Sequence, residues 1–287
     1  MDHKGALAGL HAAVLLFGFA GLFGRWLELP AIWIVLGRTA VATVGLALLR
    51  AGRERALPPF DARLIGNGLV LAVHWVAFFA AIQLANVATG LLGFASFPLF
   101  VLLLERLFLG RRWFAREVVT VVLVTLGLVL IVPEFSLANR IVQGLLWGIV
   151  SGFTFALLAV MNRRMVTRRA AIDVAFWQNG WAALVLLPLC LMTPVPAIDM
   201  RDIALLLVLG IVCTALAHTL FIASLKHVTA HTASVIAALE PVYGIALALA
   251  LLGEVPGWRT LVGSVLIVGA AMLATRARST DVPLAPG

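Results

Sequence analysis

Residues 239–274 read LEPVYGIALALALLGEVPGWRTLVGSVLIVGAAMLA. Two apolar runs flank a short polar turn, Gly253-Glu254-Val255-Pro256-Gly257. Crossing a hydrocarbon core takes about 20 mostly apolar residues, so the runs read as two membrane helices joined by a tight hairpin. Pro241 sits early in the first of them, and Gly253 stands where a helix commonly stops.

The same reading extends over the chain. Apolar runs lie near 5–26, 31–49, 64–83, 88–109, 116–133, 141–161, 172–193, 202–224, 230–252 and 258–275, predicting ten transmembrane helices. Of 287 residues, 63% are hydrophobic and 12% charged. A soluble domain of this size needs more polar surface, whereas lipid accepts apolar side chains on the outside of a protein. Long unbroken runs, in place of ten-residue alternation, exclude a β-barrel. The predicted class is an all-α integral membrane protein.

The net charge of +8 is distributed as loops would distribute it. Arg50, Arg53, Arg55 and Arg63 cluster in one gap, Arg106, Arg111, Arg112 and Arg116 in another, and Arg163, Arg164, Arg168 and Arg169 in a third. With alternate loops pooled, sixteen Lys and Arg fall on one side, and Arg25, Arg140, Arg201 and Arg259 on the other. The positive-inside rule then places both termini in the cytoplasm. This is no phosphate-tracking face, and no nucleic-acid partner is expected. Cys190 and Cys213 stand alone inside apolar runs, so neither a disulfide framework nor a metal or cofactor site is expected. The run from Ala6 to Leu27 has span length and no clear cleavage site, and reads as the first helix.

The chain also partly matches itself. Shifted by 143 residues, Phe78, Ala80, Thr89, Ala95, Pro98, Leu104, Leu109, Gly110 and Arg116 recur as Phe221, Ala223, Thr232, Ala238, Pro241, Leu247, Leu252, Gly253 and Arg259. Near the beginnings of the halves the offset is 139, with Gly5, Gly9 and Arg25 answering to Gly144, Gly148 and Arg164. The expected division is a first five-helix repeat over 1–138, a second over 139–278 and a tail over 279–287. Five is odd, so the second half enters the membrane from the opposite side. Inverted repeats of this kind underlie alternating access in many secondary transporters.

The stretch over 239–274 resembles the last two helices of the drug/metabolite transporter superfamily, specifically the EamA-like exporters. The matching features are Pro241, Gly253–Glu254, Pro256, Gly263 and Gly269. In the first half, SFPLFVLLLERLFLGRRW over 96–113 is a degenerate version, with Pro98 and Gly110 but Arg111 in place of the acid. The resemblance covers essentially the whole chain and implies ten helices in two inverted halves. It is nearest to bacterial exporters of aromatic and other neutral amino acids, which implies a small-molecule substrate and a bacterial inner-membrane location.

Pro98 and Pro241 remove a backbone donor inside their spans and read either as hinge points for rocking or as static kinks. The pairs Gly5/Gly9, Gly144/Gly148 and Gly263/Gly269 read as close helix packing.

Polar groups at span depth are costly and therefore informative. They are His11, Arg38, Asn67, His74, Thr154, Gln178, Asn179, His218 and Glu240. Helical spacing groups His74, Trp75 and Phe78 on one face, His218 with Phe221, Trp177 with Gln178 and Trp181, and Glu240 with Tyr243. Together with Phe97 and Arg38 these are the candidate substrate-binding residues. Rings would take an apolar side chain, imidazole, amide or indole donors a carboxylate, and carbonyls or Glu240 an ammonium. Each has a plainer alternative. The tryptophans would then pack against lipid or helices, the histidines bond between helices, and Glu240 brace the kinked backbone. Arg38 is open between binding a carboxylate, pairing with an acid and snorkelling outward.

The expected function is a secondary transporter of neutral and aromatic amino acids, with export of another metabolite or a drug-like cation as the alternative. Phosphorylated solutes fit less well, since Arg38 is the one basic residue at depth. An intramembrane enzyme would need motifs such as His-Glu-x-x-His or Gly-x-Ser-x-Gly, which do not occur, and there is no ATP-binding motif. Coupling is open between facilitated diffusion and proton exchange through Glu240 or a histidine. One chain holds both halves, so a monomer suffices.

Overall fold

The computed structural model describes residues 2–52, 62–109, 115–131, 136–228, 233 and 236–276. Helices account for most of them, and no strand occurs among the described residues. In chain order they are α1 (His3–Trp26), α2 (Ala31–Ala51), α3 (Arg63–Leu84), α4 (Val87–Phe94), α5 (Phe97–Leu109), α6 (Ala115–Ile131), α7 (Arg140–Val166) and α8 (Ala171–Leu191). Next come α9 (Met200–Gly210), a π-helical turn (Ile211–Leu216), α10 (Ala217–Ser224), α11 (Glu240–Leu252) and α12 (Trp258–Arg276).

Seven of these segments are long and apolar enough to cross a membrane: α1, α2, α3, α7, α8, the α4–α5 unit over Val87–Leu104, and the α9–α10 unit over Met200–Ser224. The predicted fifth, ninth and tenth spans correspond to shorter apolar helices over Val119–Ile131, Glu240–Leu252 and Trp258–Ala270. Residues 230–232, 234 and 235 of the ninth predicted span lie outside the described residues, as do the tail and most of the Arg53–Arg55 loop.

Helix starts are set by short polar side chains that accept an orphan backbone N–H. Asp2 accepts from Gly5 at 2.8 Å, Asn86 from Thr89 at 2.8 Å and Asn139 from Ile141 at 2.9 Å. Asp199 and Asp202 form a capping box at the start of α9.

The prolines act differently from the expected mid-helix kink. The fourth span is interrupted at Ala95–Ser96 and a new helix begins at Phe97; the chain turns at Ala238–Leu239 and a new helix begins at Glu240. Pro98 and Pro241 are each the second residue of the new helix, where the missing N–H has no partner to lose. The two breaks are separated by 143 residues (97 to 240), the same offset as the internal sequence match.

Packing follows a paired pattern. α1 lies against α10 and α11, while α7 lies against α3 and α5; α2 packs on α8, and α6 on α12. One end of the bundle joins His3 to the His227 carbonyl, Ser224 to the Ala6 carbonyl, and Arg50 to Asp173. The other joins Gln83 to the Leu29 carbonyl, Arg140 to the Leu84 carbonyl and Trp33 to Thr193. The beginning of α1 and the end of α7 therefore share one end.

Small residues allow the closest approaches. A Cβ on Gly144 would lie 2.8 Å from the Ala81 carbonyl oxygen, and one on Gly263 2.9 Å from that of Gly127. Gly269, by contrast, has open space around it.

The Gly253–Glu254 pair has a clear structural task. Gly253 takes a left-handed φ of 68° and ends α11. Glu254 then bonds Arg25 at 3.2 Å and accepts the Val87 N–H of the first turn of α4 at 3.1 Å. It ties three elements at one end. Glu254→Ala leaves a helix-terminal donor without its acceptor, a loss of about 1 kcal/mol, and lowers the melting temperature by about 2–4 °C. Glu254→Gln keeps the acceptor and loses less; thermal unfolding in detergent distinguishes the two.

Candidate functional site

Ile34, Arg38, Ala42, Leu46 and Arg50 recur every fourth residue of α2 and are buried on one stripe or at its edge. This stripe carries the Arg38 guanidinium inward, where the residue is 1% exposed. Arg38 Nε donates to Thr214 Oγ1 at 2.9 Å and Nη2 to the Cys213 carbonyl at 3.3 Å, both in the π-helical turn. The guanidinium carbon lies 3.9 Å from the centre of the Trp75 ring, a cation–π contact. Arg38 therefore does not snorkel outward.

Arg38, His74, Trp75, Phe78, His218 and Glu240 line one cavity in the middle of the bundle. The cavity between these groups is narrow in this conformation, about 20 Å³, room for about one water molecule. Trp75 and His218 face each other with ring centres 5.5 Å apart, and His74 lies 5.8 Å from Phe94 and 5.2 Å from Phe155. Glu240 is 2% exposed, at the first position of α11. Among the described residues its carboxyl has neither hydrogen-bond nor salt-bridge partner, and Arg38 Nη1 makes no hydrogen bond. A buried acid and a buried guanidinium with unused capacity thus share one ring-lined space.

The remaining candidates stand elsewhere. Gln178 lies behind the wall, its Oε1 bonded to His218 Nε2 at 2.8 Å. Phe221 and Phe97 are also one layer back, against Phe17 and Phe155 and against Phe94 respectively. Trp177 and Trp181 stack on each other at 6.3 Å on a half-buried face of α8, and the Trp181 Cβ abuts Gly68 of α3. Tyr243 packs its Cβ over Gly18 where α1 meets α11. Spacing of three and four residues gives neighbours on a helix, but the face that reaches the cavity is decided by packing. His11 lies on the exposed face of α1.

Four wall residues escaped the sequence reading: Phe17, Ala20, Phe94 and Phe155. The available signal was positional. Phe17 and Phe155 lie in α1 and α7 at an offset of 138 (17 to 155), one from the 139 seen nearby. A second correspondence concerns Arg38 and Gln178, 140 apart (38 to 178), as are the starts of α2 and α8 (31 to 171). Arg38 contacts Trp75, and Gln178 contacts His218, which is Trp75 shifted by 143.

Apolar spans around a buried, charge-bearing cavity make this a multi-pass membrane protein, and its family and transporter-named relatives point to a transporter, not an enzyme. The chain belongs to the EamA-like transporter family, whose sequence profile matches it twice, over residues 3–132 and 142–276. It is 29% identical over 251 residues to the pseudopaline exporter CntI of Pseudomonas aeruginosa, spanning 87% of this chain and 88% of that one. It is 26% identical over 209 residues to an S-adenosylmethionine uptake transporter of Rickettsia bellii, spanning 72% and 69%. An uncharacterised transporter of Archaeoglobus fulgidus is 26% identical over 75% of this chain and 77% of its own. A solved crystal structure shares the fold at TM-score 0.71 and 20% identity, over 96% of this chain and 98% of that one.

Proposed function

We propose that the protein is a secondary transporter that exports neutral and aromatic amino acids, or facilitates their movement, across a bacterial inner membrane by alternating access. The carrying observation is that Arg38 and Glu240, both buried and both with unused hydrogen-bonding capacity, face one cavity walled by aromatic rings. A zwitterion with an apolar side chain satisfies all three features. Its carboxylate meets Arg38, its ammonium meets Glu240, and its side chain meets the rings. A lone lipophilic cation would leave the Arg38 charge unanswered and repelled, which disfavours the drug-like alternative.

The reading includes ten spans in two inverted halves, 1–138 and 139–278, with cytoplasmic termini. The double profile match, the paired packing and the shared end of α1's beginning and α7's close support it. Pro98 and Pro241, each just inside a restarted helix, are the proposed hinges. The relatives' solutes differ from one another, and S-adenosylmethionine carries an amino-acid head. The pseudopaline exporter favours a second reading, export of another small metabolite, in which Arg38 and Glu240 keep the same roles.

Flux of radiolabelled phenylalanine, methionine and threonine into proteoliposomes, with and without a proton gradient, tests the proposal. Saturable flux that unlabelled neutral amino acids inhibit is expected, falling at least about tenfold in Glu240→Gln through loss of a charge-assisted hydrogen bond of about 1.5–3 kcal/mol. Folded protein that moves none of them overturns the amino-acid reading.

A further inference from the structure

His74 and His218 are held through different ring nitrogens. His74 Nδ1 lies 3.0 Å from the Ser151 carbonyl oxygen and 3.0 Å from the Ser151 hydroxyl. A hydroxyl can donate or accept but a carbonyl only accepts, so it is the Ser151 carbonyl contact that assigns the hydrogen to Nδ1 and leaves a lone pair on Nε2. His218 is bound through Nε2, to Gln178 Oε1. The polarity of that contact is set one residue further back. Asn162 Oδ1 accepts from Asn67 Nδ2 at 2.9 Å and from Gln178 Nε2 at 3.2 Å. With its amide hydrogens turned to Asn162, Gln178 offers His218 only an oxygen. The hydrogen of His218 is then on Nε2 and its lone pair on Nδ1.

Among the described residues, neither His74 Nε2 nor His218 Nδ1 has a hydrogen-bond partner. Both rings line the cavity, while Ser151 and Gln178, which hold the other nitrogens, stand behind it. The histidines thus bring acceptors to the cavity, not the carboxylate donors expected of them from the sequence; that donor role falls to Arg38.

We infer that His74 Nε2, His218 Nδ1 and the Glu240 carboxyl together receive a primary ammonium group of the solute, with Asn67, Asn162 and Gln178 as positioning residues that hold His218 in its accepting tautomer. The inference rests on the proposed zwitterionic substrate. A primary ammonium has three N–H donors for these three acceptors. Each methyl on the nitrogen removes one donor and leaves a buried acceptor unpaired, and sites built this way reject such analogues strongly. Aromatic walls alone would attract a quaternary ammonium just as well, so the methylation series separates the two modes of recognition.

The test has two arms. Solid-state NMR of the full chain with 15N-labelled histidine in lipid bilayers reads the tautomers, with signals assigned through His74→Gln and His218→Gln. Hydrogen on Nδ1 of His74 and on Nε2 of His218 is expected. Gln178→Leu should change the His218 signal alone, and Gln178→Glu, which keeps an acceptor toward His218, should restore it. Hydrogen on His74 Nε2 or His218 Nδ1 overturns the inference. In the second arm, L-phenylalanine and its N-methyl and N,N,N-trimethyl derivatives compete for phenylalanine flux. Inhibition should weaken at least tenfold from the primary to the quaternary amine. Equal inhibition by all three overturns the ammonium site and leaves the amino-acid reading standing. Absence of any amino-acid flux sinks that reading, and the tautomers still decide which way the histidines face.

Discussion

Arg38→Gln is expected to reduce neutral amino-acid flux at subsaturating substrate by about 10- to 100-fold. A hydrogen bond to a charged group is worth about 1.5–3 kcal/mol, and each 1.4 kcal/mol is a factor of ten in affinity. Glutamine removes the charge that answers the carboxylate and shortens the side chain away from the π-helical turn. Arg38→Lys restores the charge but not the fork. Arginine holds Thr214 and the Cys213 carbonyl through Nε and Nη2 while Nη1 stays free for a solute, and a single ammonium does not reproduce that planar division of labour. The lysine variant should therefore recover flux only in part. The specific signature lies in the competitor: phenethylamine, which lacks the carboxylate, should inhibit the glutamine variant as it inhibits the native protein. Equal losses for phenylalanine and phenethylamine would assign Arg38 to holding the helices together, not to the solute. Thermal unfolding reports that structural part separately, because Arg38 bridges α2 to the turn between α9 and α10.

The largest effect on folding is expected at Gly148. A Cβ built there lies 2.9 Å from the Gly90 carbonyl oxygen and 2.9 Å from the Gly93 Cα. One on Gly93 lies 2.8 Å from the Leu145 carbonyl oxygen. The contacts are backbone on backbone, so no side chain can rotate away and α4 and α7 must separate. α4 also carries Phe94, and α7 Phe155, into the cavity wall, so separation opens the site as well as the packing. Gly148→Val should destabilise by more than about 3 kcal/mol, within the range for overpacked buried contacts, or prevent recovery of monodisperse protein. Gly148→Ala should be intermediate. Gly66→Ala and Gly269→Ala, at positions with open space, should melt as the native protein does. Size-exclusion profiles and melting temperatures in detergent read the series. A valine variant that melts like the native protein would mean that α4 and α7 do not approach as described.

Much of the architecture is legible in the residues themselves. Apolar run length determines where helices form, because a backbone in lipid has to satisfy its own hydrogen bonds. Pro98 and Pro241 were expected to kink or hinge their spans, whereas the chain restarts the helix at each, a geometry that spares the missing donor. Gly253–Glu254 announced a stop and a fixed turn. Most of the polar residues expected at depth are buried, namely Arg38, Asn67, His74, Thr154, Gln178, Asn179, His218 and Glu240, whereas His11 is exposed.

Which of them meet was not legible. Spacing of three and four residues places Trp177, Gln178 and Trp181 on one face, yet it leaves free the rotation of that helix against its neighbours. In water a hydrophobic face has to turn inward, but in lipid both faces of a span are apolar, so composition carries no such instruction. Phe155, buried in the cavity wall, and Phe153, exposed two residues away, are the same side chain on the same helix. Run length and polarity settle where apolar helices lie and how little charge is buried, whereas the breaks at Ala95–Ser96 and Ala238–Leu239 appear only in the fold. Only the tertiary structure decided that Arg38 and Glu240 face one cavity and which nitrogen each histidine leaves free. Those depend on contacts such as Arg38 to Thr214 and Asn67 to Asn162, made between helices far apart in the chain.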